Sequence, residues 1–273
     1  MSGLTFRLKA APSWRLDMSP LTPGRLAGLS SRDIGRIGLL SGNSRIPAGD
    51  LFDVTTGDPA DICVQSDSDK LDFIGGGMDR GRLTVEGSAG AYCGLNLAGG
   101  ELILHGQAGP YAAAGMTGGS FEATGDVGDN FGGALPGEMR GMSGGIAILR
   151  GNAGQRIGDR MRRGTIIVEG NVGAYAASRM IAGTIIALGA TVGAYPGFAM
   201  KRGTLILRAA ANQMLPTFAD CGRHELGFLN LLFLQLRNTS SQLDQLAAQT
   251  KIVQRRVGDQ AAGGKGELLF WRD

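Results

Sequence analysis

Residues 81–118 read GRLTVEGSAGAYCGLNLAG followed by GELILHGQAGPYAAAGMTG, two segments that repeat one arrangement over 19 residues. Each segment starts with a glycine, Gly81 or Gly100, and has further glycines six and nine residues later. Copies of the same arrangement begin at Gly119, Gly145, Gly164, Gly183 and Gly203. The starts are 19 or 20 residues apart except for one spacing of 26, which indicates a seven-residue insertion near Gly133–Met139. Self-similarity at a fixed period is typical of a repeat architecture.

The first two glycines of each repeat enclose five residues with the character of a short strand. Arg82–Glu86 reads RLTVE and Thr165–Glu169 reads TIIVE, both rich in aliphatic and β-branched residues. Five residues between glycine corners are too few for a stable helix. We therefore predict an all-β fold, a right-handed parallel β-helix of about seven turns of 19–20 residues. A degenerate further repeat is expected to begin near Asp61.

Stacked repeats would place equivalent side chains in rows. One inward row is predicted to contain Leu83, Leu102, Phe121, Ala147, Ile166, Ile185 and Leu205. Its neighbour is predicted to contain Val85, Leu104, Ala123, Leu149, Val168, Ala187 and Leu207. The outward row between them contains Thr84, Ile103, Glu122, Ile148, Ile167, Ile186 and Ile206. Its last four isoleucines would form an exposed apolar stripe, so we expect the chain's own C-terminus or another subunit to cover it.

The flanks do not follow the repeat. Residues 1–60 are interpreted as an N-terminal strand and turn region, residues 61–208 as the repeat domain, and residues 209–273 as a C-terminal helix and tail. The segment His224–Arg237 (HELGFLNLLFLQLR) is predicted to be a helix, and because it is apolar almost all round it should be buried. An open end of a β-helix exposes strand edges, so this helix is interpreted as a C-terminal cap or as a pad on one face.

Composition excludes several classes of function. A net charge of +3 gives no indication of nucleic-acid or membrane binding. The longest apolar stretch, around Leu226–Leu236, is too short to cross a bilayer. Three separated cysteines without a CxxC motif, and an N-terminus without a long apolar segment, favour a reducing, cytoplasmic location.

Residues able to perform chemistry are few. The two histidines, His105 and His224, have no partners that suggest a catalytic triad or a metal site, so we expect neither catalytic residues nor a metal on this chain. Basic residues are concentrated in the late repeats, namely Arg160, Arg162, Arg163, Arg179, Lys201 and Arg202. Of these, Arg162 and Lys201 share one offset, and Arg163 and Arg202 share the next. Stacking would gather these four into a shallow anion-binding patch, although solvated turn charges are the simpler interpretation.

The repeat resembles a known family. Gly158-Asp-Arg-Met161-Arg-Arg-Gly164-Thr-Ile-Ile-Val-Glu-Gly170-Asn-Val-Gly173 carries the pattern, as does SGNSRIPAGDLFDV (Ser41–Val54) at the start of the column. Both resemble the C-subunit family of formylmethanofuran dehydrogenase and of its bacterial counterpart, the formyltransferase/hydrolase complex. The repeat is also similar to the C-terminal β-helix domain of the glutamate synthase large subunit. The resemblance covers roughly residues 36–208.

The resemblance implies a non-catalytic structural subunit in a hetero-oligomer with A, B and D subunits. Such a complex moves formyl from tetrahydromethanopterin to methanofuran and, in the bacterial form, releases formate in one-carbon metabolism. Methanofuran and metal ions would then be bound on the partner subunits. Since the family's methanofuran carries glutamates on its tail, Arg162, Arg163, Lys201 and Arg202 are candidates for contact with that tail.

Three alternatives stay open on the sequence. The chain would serve equally as the C subunit of a molybdenum or tungsten formylmethanofuran dehydrogenase, although its Ala- and Arg-rich composition favours the bacterial hydrolase form. A detached domain of the glutamate synthase type would again be an interaction module. A free-standing β-helix enzyme such as a polysaccharide lyase would need carboxylates or arginines gathered on one outer face, usually with a secretion signal, and neither is evident.

Overall fold

The computed structural model describes residues 3–249 and 252–271, and most of its regular structure is β-strand, as predicted. The strands are β1 (Gly3–Leu8), β2 (Leu16–Asp17), β3 (Gly38–Ser41), β4 (Ser44–Pro47), β5 (Phe52–Val54), β6 (Asp58–Ser66), β7 (Leu71–Asp72), β8 (Arg82–Gly87), β9 (Glu101–His105), β10 (Ser120–Ala123), β11 (Ile146–Leu149), β12 (Thr165–Val168), β13 (Thr184–Ala187), β14 (Thr204–Leu207), β15 (Ala219–Glu225), β16 (Ile252–Gly258) and β17 (Gly266–Phe270). The helices are α1 (Pro23–Leu26), α2 (Ser31–Gly35), α3 (Ala48–Leu51), α4 (Gly227–Gln235) and α5 (Ser241–Gln249), with a 3-10 turn at Gln260–Ala262.

One large mixed sheet dominates the described residues. Its 13 strands run in the order β15-β16-β17-β14-β13-β12-β11-β10-β9-β8-β6-β1-β5. The middle of the sheet, from β1 to β14 and β17, is parallel, while β5 at one edge and β16 and β15 at the other pair antiparallel. A second sheet of four strands has the order β4-β3-β2-β7.

The register of the parallel strands follows the repeat. Leu83 pairs with Leu102, and Ile166 pairs with Ile185, so each residue lies beside its equivalent in the next repeat. The degenerate repeat near Asp61 is confirmed, because Ile62 on β6 pairs with Leu83 on β8. The predicted order of the rows is therefore confirmed from β6 to β14.

Successive repeats also meet outside the large sheet. Single parallel bridges join Ala89 to Ala108 and continue in steps of one repeat to Val192 and Ala211. In the following turn the backbone N–H of Tyr92 donates to the Pro110 carbonyl over 2.9 Å. Backbone groups of successive repeats are thus joined at the strand, at the bridge and at the turn that follows the bridge.

The core consists of the predicted rows. All members of the Leu83 row and of the Val85 row are at most 1% exposed. A third row, three residues before each repeat start, is also fully buried and contains Met78, Leu97, Met116, Met142, Met161, Met180 and Met200. Burial of three continuous rows supplies the apolar contact that a single 19-residue repeat lacks.

The chain's own C-terminal segment covers the isoleucine stripe. Ile167, Ile186 and Ile206 are fully buried, and Ile148 is 8% exposed. They form one apolar cluster with residues of the C-terminal segment, namely Leu229, Leu236, Leu243, Leu246, Val253, Leu269 and Trp271. Of the two covers expected for this stripe, the internal one is present, and α4 lies as a pad on that face.

The predicted helix over His224–Arg237 is correct in position but wrong in its start and its burial. His224 and Glu225 pair with Val253 and Ile252 in the sheet, so the helix begins only at Gly227. Leu229 is the buried residue of α4, whereas Phe228, Leu231 and Leu234 are 42%, 72% and 65% exposed. A helix that lies on one face of a sheet buries one stripe, and the rest of this apolar helix stays in contact with solvent.

The corner at Gly170 requires a glycine because the backbone of the preceding repeat lies close to it, and not because its dihedral angles are unusual. Its φ is not in the left-handed region, but a Cβ atom there would lie 2.4 Å from the Gly151 carbonyl oxygen of the preceding repeat. At Gly100, by contrast, φ is +78°, and a Cβ atom would also lie 2.5 Å from the Gly81 carbonyl oxygen. Both corners exclude side chains because neighbouring repeats stack closely.

Candidate functional site

The four basic residues predicted from the sequence lie in two separate layers of the stack. The Arg162 N–H donates to the Met142 carbonyl, and the Lys201 N–H donates to the Met180 carbonyl. The equivalent position in the repeat between them is Ile181, whose N–H donates to the Met161 carbonyl. Two steps of a parallel stack correspond to roughly 9–10 Å. The structure therefore aligns Arg162–Arg163 with Lys201–Arg202 but does not bring them into direct contact.

These four side chains differ in their surroundings. Arg163, Lys201 and Arg202 are exposed, but the Lys201 ammonium donates to the Ala262 carbonyl of the C-terminal loop. Arg162 is half-buried, and its Nε atom is buried without a hydrogen-bond partner among the described residues. Arg163 and Arg202 are thus the members of the predicted patch best placed to meet a ligand from solvent.

A second basic site, which the sequence did not predict, lies beside the insertion. Here an open cleft of about 350 Å³, which we call the arginine cleft, is lined by Tyr111, Asn130, Ala134, Leu135, Pro136, Gly137, Glu138, Arg156, Asp159, Arg160 and Arg179. The five consecutive residues from Ala134 to Glu138 belong to the inserted segment and form one wall. The departure from the repeat therefore creates the cavity.

The arginine cleft interrupts a column of stacked aromatic rings. Phe73, Tyr92 and Tyr111 occupy one position in successive repeats, with ring centroids 4.8 and 5.4 Å apart. The column resumes further along with Tyr175 and Tyr195, whose centroids are 5.7 Å apart. The intervening positions of the same row are Asn130 and Arg156, whose backbones keep the hydrogen bonds between neighbouring repeats. Replacement of two rings by Asn and Arg leaves the space that the cleft occupies.

A buried carboxylate organises the floor of the arginine cleft. Asp159 is 2% exposed and accepts a 2.6 Å hydrogen bond from the Ser178 hydroxyl. Arg179 binds the same carboxylate through Nε at 2.9 Å and Nη2 at 2.5 Å. A two-point contact with a buried carboxylate fixes the guanidinium plane of Arg179 at one side of the cavity.

The other two arginines of the cleft are less compensated. Arg160 Nε is 4.0 Å from an oxygen of Asp159, and its Nη1 contacts the Met139 sulfur at 2.6 Å. The guanidinium of Arg156 lies 4.9 Å from the centroid of the Tyr175 ring, an arrangement typical of a cation–π contact. Neither donates a hydrogen bond to a carboxylate of residues 3–249 or 252–271. Both retain donors that an anion in the cleft can use.

A further ionic cluster joins the sheet to the C-terminal segment. Arg150 lies between Glu122 and Glu169, with nitrogen–oxygen distances of 2.9 and 2.5 Å. Burial lowers the pKa of Arg150, but the hydrogen bonds to Glu169 and Glu122 outweigh burial and raise that pKa. The ion pairs link side chains of three neighbouring repeats.

The histidines and cysteines do not converge. His105 Nε2 is 4.0 Å from Glu86, and His224 Nε2 is 2.7 Å from the Cys221 carbonyl oxygen. Among residues 3–249 and 252–271, no group of three or more His, Cys, Asp or Glu side chains is arranged to hold a metal ion. In the same part of the chain, no helix is long and apolar enough to cross a membrane.

Comparison with a solved complex gives a match over nearly the whole chain. A chain of the X-ray crystal structure of the formyltransferase/hydrolase complex (FhcABCD) from Methylorubrum extorquens, in complex with methylofuran, superposes with a TM-score of 0.88. The two sequences are 37% identical, and the match covers 97% of this chain and 98% of that one. No protein-family profile matches the chain.

Sequence comparison finds similar proteins over shorter segments. The C subunit of the formyltransferase/hydrolase complex Fhc from Methylorubrum extorquens is 39% identical over 86 residues, 32% of each chain. The C subunit of the molybdenum-containing formylmethanofuran dehydrogenase 1 from Methanosarcina barkeri is 32% identical over 89 residues, 31% of this chain and 30% of the relative. The C subunit of the tungsten-containing formylmethanofuran dehydrogenase 2 from Methanococcus maripaludis is 30% identical over 94 residues, 34% of this chain and 35% of the relative. These alignments span about a third of the length of each relative.

Proposed function

Because the chain belongs to the C-subunit family of formyltransferase/hydrolase complexes and formylmethanofuran dehydrogenases, we propose that it is the C subunit of a formyltransferase/hydrolase complex. The complex would transfer formyl from tetrahydromethanopterin to methanofuran and release formate in one-carbon metabolism, during formaldehyde oxidation. The observation that carries this proposal is the match to a chain of the FhcABCD complex over 97% of the present chain. The complex would be cytoplasmic, with A, B and D subunits as partners.

We infer that the fold is a right-handed parallel β-helix of about seven turns. This inference is supported by the parallel strand ladder and the parallel bridges between successive repeats, and by the backbone hydrogen bonds in the turn after each bridge. Parallel crossover connections are almost always right-handed. Residues 1–60 would lead into the column, residues 61–208 would form it, and residues 209–273 would cap it. The cap is supported by β17, which follows β14 in parallel before β16 turns antiparallel.

The chain is proposed to hold the complex together without performing chemistry itself. The most buried carboxylate of the arginine cleft, Asp159, binds Arg179 and Ser178, and Glu169 binds Arg150. Groups held in such pairs support a rigid surface. We propose that methanofuran chemistry and metal ions lie on the partner subunits.

Contact with the methanofuran tail is proposed for the basic patch of Arg162, Arg163, Lys201 and Arg202. Arg163 and Arg202 are the exposed pair without the carbonyl contact that holds Lys201. Charge reversal at both should raise the Michaelis constant for formylmethanofuran, and a combined reversal with Lys201 should raise it further. An unchanged Michaelis constant in these variants would exclude a role for the patch in tail binding.

The alternative function is that of the C subunit of a molybdenum or tungsten formylmethanofuran dehydrogenase. It is favoured by the 32% and 30% identity with the two dehydrogenase relatives. The test uses the complex purified through a tag on this chain from its native source. The hydrolase proposal predicts formate release from formyl-tetrahydromethanopterin and no molybdenum or tungsten by elemental analysis. Stoichiometric molybdenum or tungsten with formate-dependent electron transfer would establish the dehydrogenase instead.

A further inference from the structure

The arginine cleft is the point at which the repeat departs most from its own pattern. Its wall comes from the seven-residue insertion, and its floor lies where Asn130 and Arg156 replace two rings of the aromatic column. Natural chains usually depart from a regular design where function requires it. Neither the fold nor the proposed contact with the methanofuran tail needs this cavity.

The charges of the cleft are unbalanced. Arg156, Arg160 and Arg179 line it together with Asp159 and Glu138. Asp159 is already engaged by Arg179 and Ser178, and Glu138 stands on the exposed insertion. Arg156 and Arg160 thus present guanidinium groups without hydrogen-bonded carboxylates of the described residues, at a position partly shielded from solvent. A carboxylate placed between them would complete charge-assisted hydrogen bonds.

Part of the rim of the cleft is apolar. Met139 is 64% exposed and touches Arg160, while Leu135 and Pro136 line the same wall. An exposed apolar rim next to arginines that donate no hydrogen bond to a carboxylate of the described residues is a combination typical of protein interfaces, in which Arg and Met are enriched. A small carboxylate would satisfy the arginines but would leave this rim uncovered.

We propose that the arginine cleft receives an acidic segment of a partner subunit, with one carboxylate between Arg156 and Arg160 and an apolar neighbour on the rim at Met139. The inference rests on the proposed function, since it takes this chain to be one subunit of a larger complex. Asp159 holds Arg179 at the far wall of the cleft.

The test uses the whole complex, purified through a tag on this chain with its partners co-expressed. R156E combined with R160E should reduce the amount of co-purified partner subunits at least tenfold, whereas R156K with R160K should retain most of it. The wild-type assembly should weaken as salt is raised, and the charge-reversed variant should lose that dependence. M139D, on the exposed rim, should weaken assembly without affecting the folding of the core. R32E, on the exposed surface of α2, is the matched control and should assemble like wild type.

The outcomes distinguish failure of the docking inference from failure of the proposed function. Wild-type chain that recovers no partner would contradict the proposed function itself. Wild-type assembly with equal recovery of partners by R156E/R160E and by M139D would overturn the docking inference alone. Full assembly of R156E/R160E with loss of bound methanofuran-type cofactor would also overturn it, because the carboxylate would then come from a small molecule.

Discussion

Ser240, just before α5, donates a 2.6 Å hydrogen bond to Glu169, the residue after β12, 71 residues earlier in the chain. Glu169 accepts from Arg150 through the same oxygen, Oε1. The C-terminal segment is therefore attached to the isoleucine face by a partly buried polar contact as well as by apolar packing. The Ser240 hydroxyl also accepts from the Leu243 N–H, as a helix-capping residue does.

Ser240→Ala should remove both contacts of this hydroxyl and leave Glu169 with one partner fewer. We expect the free energy of unfolding to fall by about 1–3 kcal/mol, the cost of a lost cap and a lost buried hydrogen bond. Urea unfolding followed by tryptophan fluorescence measures the change. Ser241→Ala, at the exposed neighbouring position, is the control and should be close to neutral. An unfolding midpoint of Ser240→Ala equal to that of the control would show that the two hydrogen bonds of the Ser240 hydroxyl do not contribute to stability.

Two isoleucines of one row provide a matched test of the C-terminal cover. Ile186 is fully buried beneath the C-terminal segment, whereas Ile103, at the same offset, is only half-buried. Ile186→Ala should cost about 2–4 kcal/mol of unfolding free energy and Ile103→Ala clearly less, because cavity cost follows burial. Equal losses at the two positions would contradict the described cover.

Close stacking of the corners predicts a contrast between two glycines. Gly170→Ala places a Cβ 2.4 Å from the Gly151 carbonyl oxygen, while a Cβ at Gly227 meets nothing within 4 Å. We expect Gly170→Ala to destabilise by more than about 2 kcal/mol, and Gly227→Ala, at the start of α4, to be neutral or stabilising by up to about 1 kcal/mol. Thermal denaturation of both variants provides the comparison. A neutral Gly170→Ala would mean that the repeats do not approach as closely as described.

The three thiols should react at different rates in the folded protein. Burial raises the pKa of Cys93 to about 12, and burial followed by Glu86 raises that of Cys63 to a smaller extent, while Cys221 is exposed. Iodoacetamide at pH 8 should therefore label Cys221 first, Cys63 more slowly, and Cys93 only after unfolding, as read by peptide mass spectrometry. Because the folded pKa of Cys93 lies above its ordinary value, its contribution to stability is present below about pH 8.5 and is lost as pH rises toward 12. Rapid labelling of Cys93 in native protein would contradict its burial.

Much of the fold could be predicted from the sequence because the chain is built from a repeat. Each position recurs in about seven repeats, so the inward rows of Leu83 and Val85 could be assigned without any knowledge of distant contacts. The start of α4 could not, because His224 and Glu225 pair with residues that lie almost thirty positions away in sequence. Periodicity identified the isoleucine stripe as apolar but carried no information on whether the C-terminal segment or a partner covers it.

The arginine cleft could be predicted only in part from the sequence. The insertion at Gly133–Met139 and the change from Tyr to Asn130 and Arg156 at one offset are both visible in the sequence. Together they mark the place where the column changes character. The pairing of Arg179 with Asp159, which decides which arginines stay available, depends on side-chain positions that the repeat pattern does not specify.

The central claim is that this chain works as one subunit of a formyltransferase/hydrolase assembly. Native mass spectrometry of the tagged chain, isolated from its source without cross-linking, tests it most directly. We predict a complex that contains this 28.3 kDa chain together with A, B and D subunits in fixed ratio. A stable species of 28.3 kDa that alone releases formate from formylmethanofuran would contradict the account.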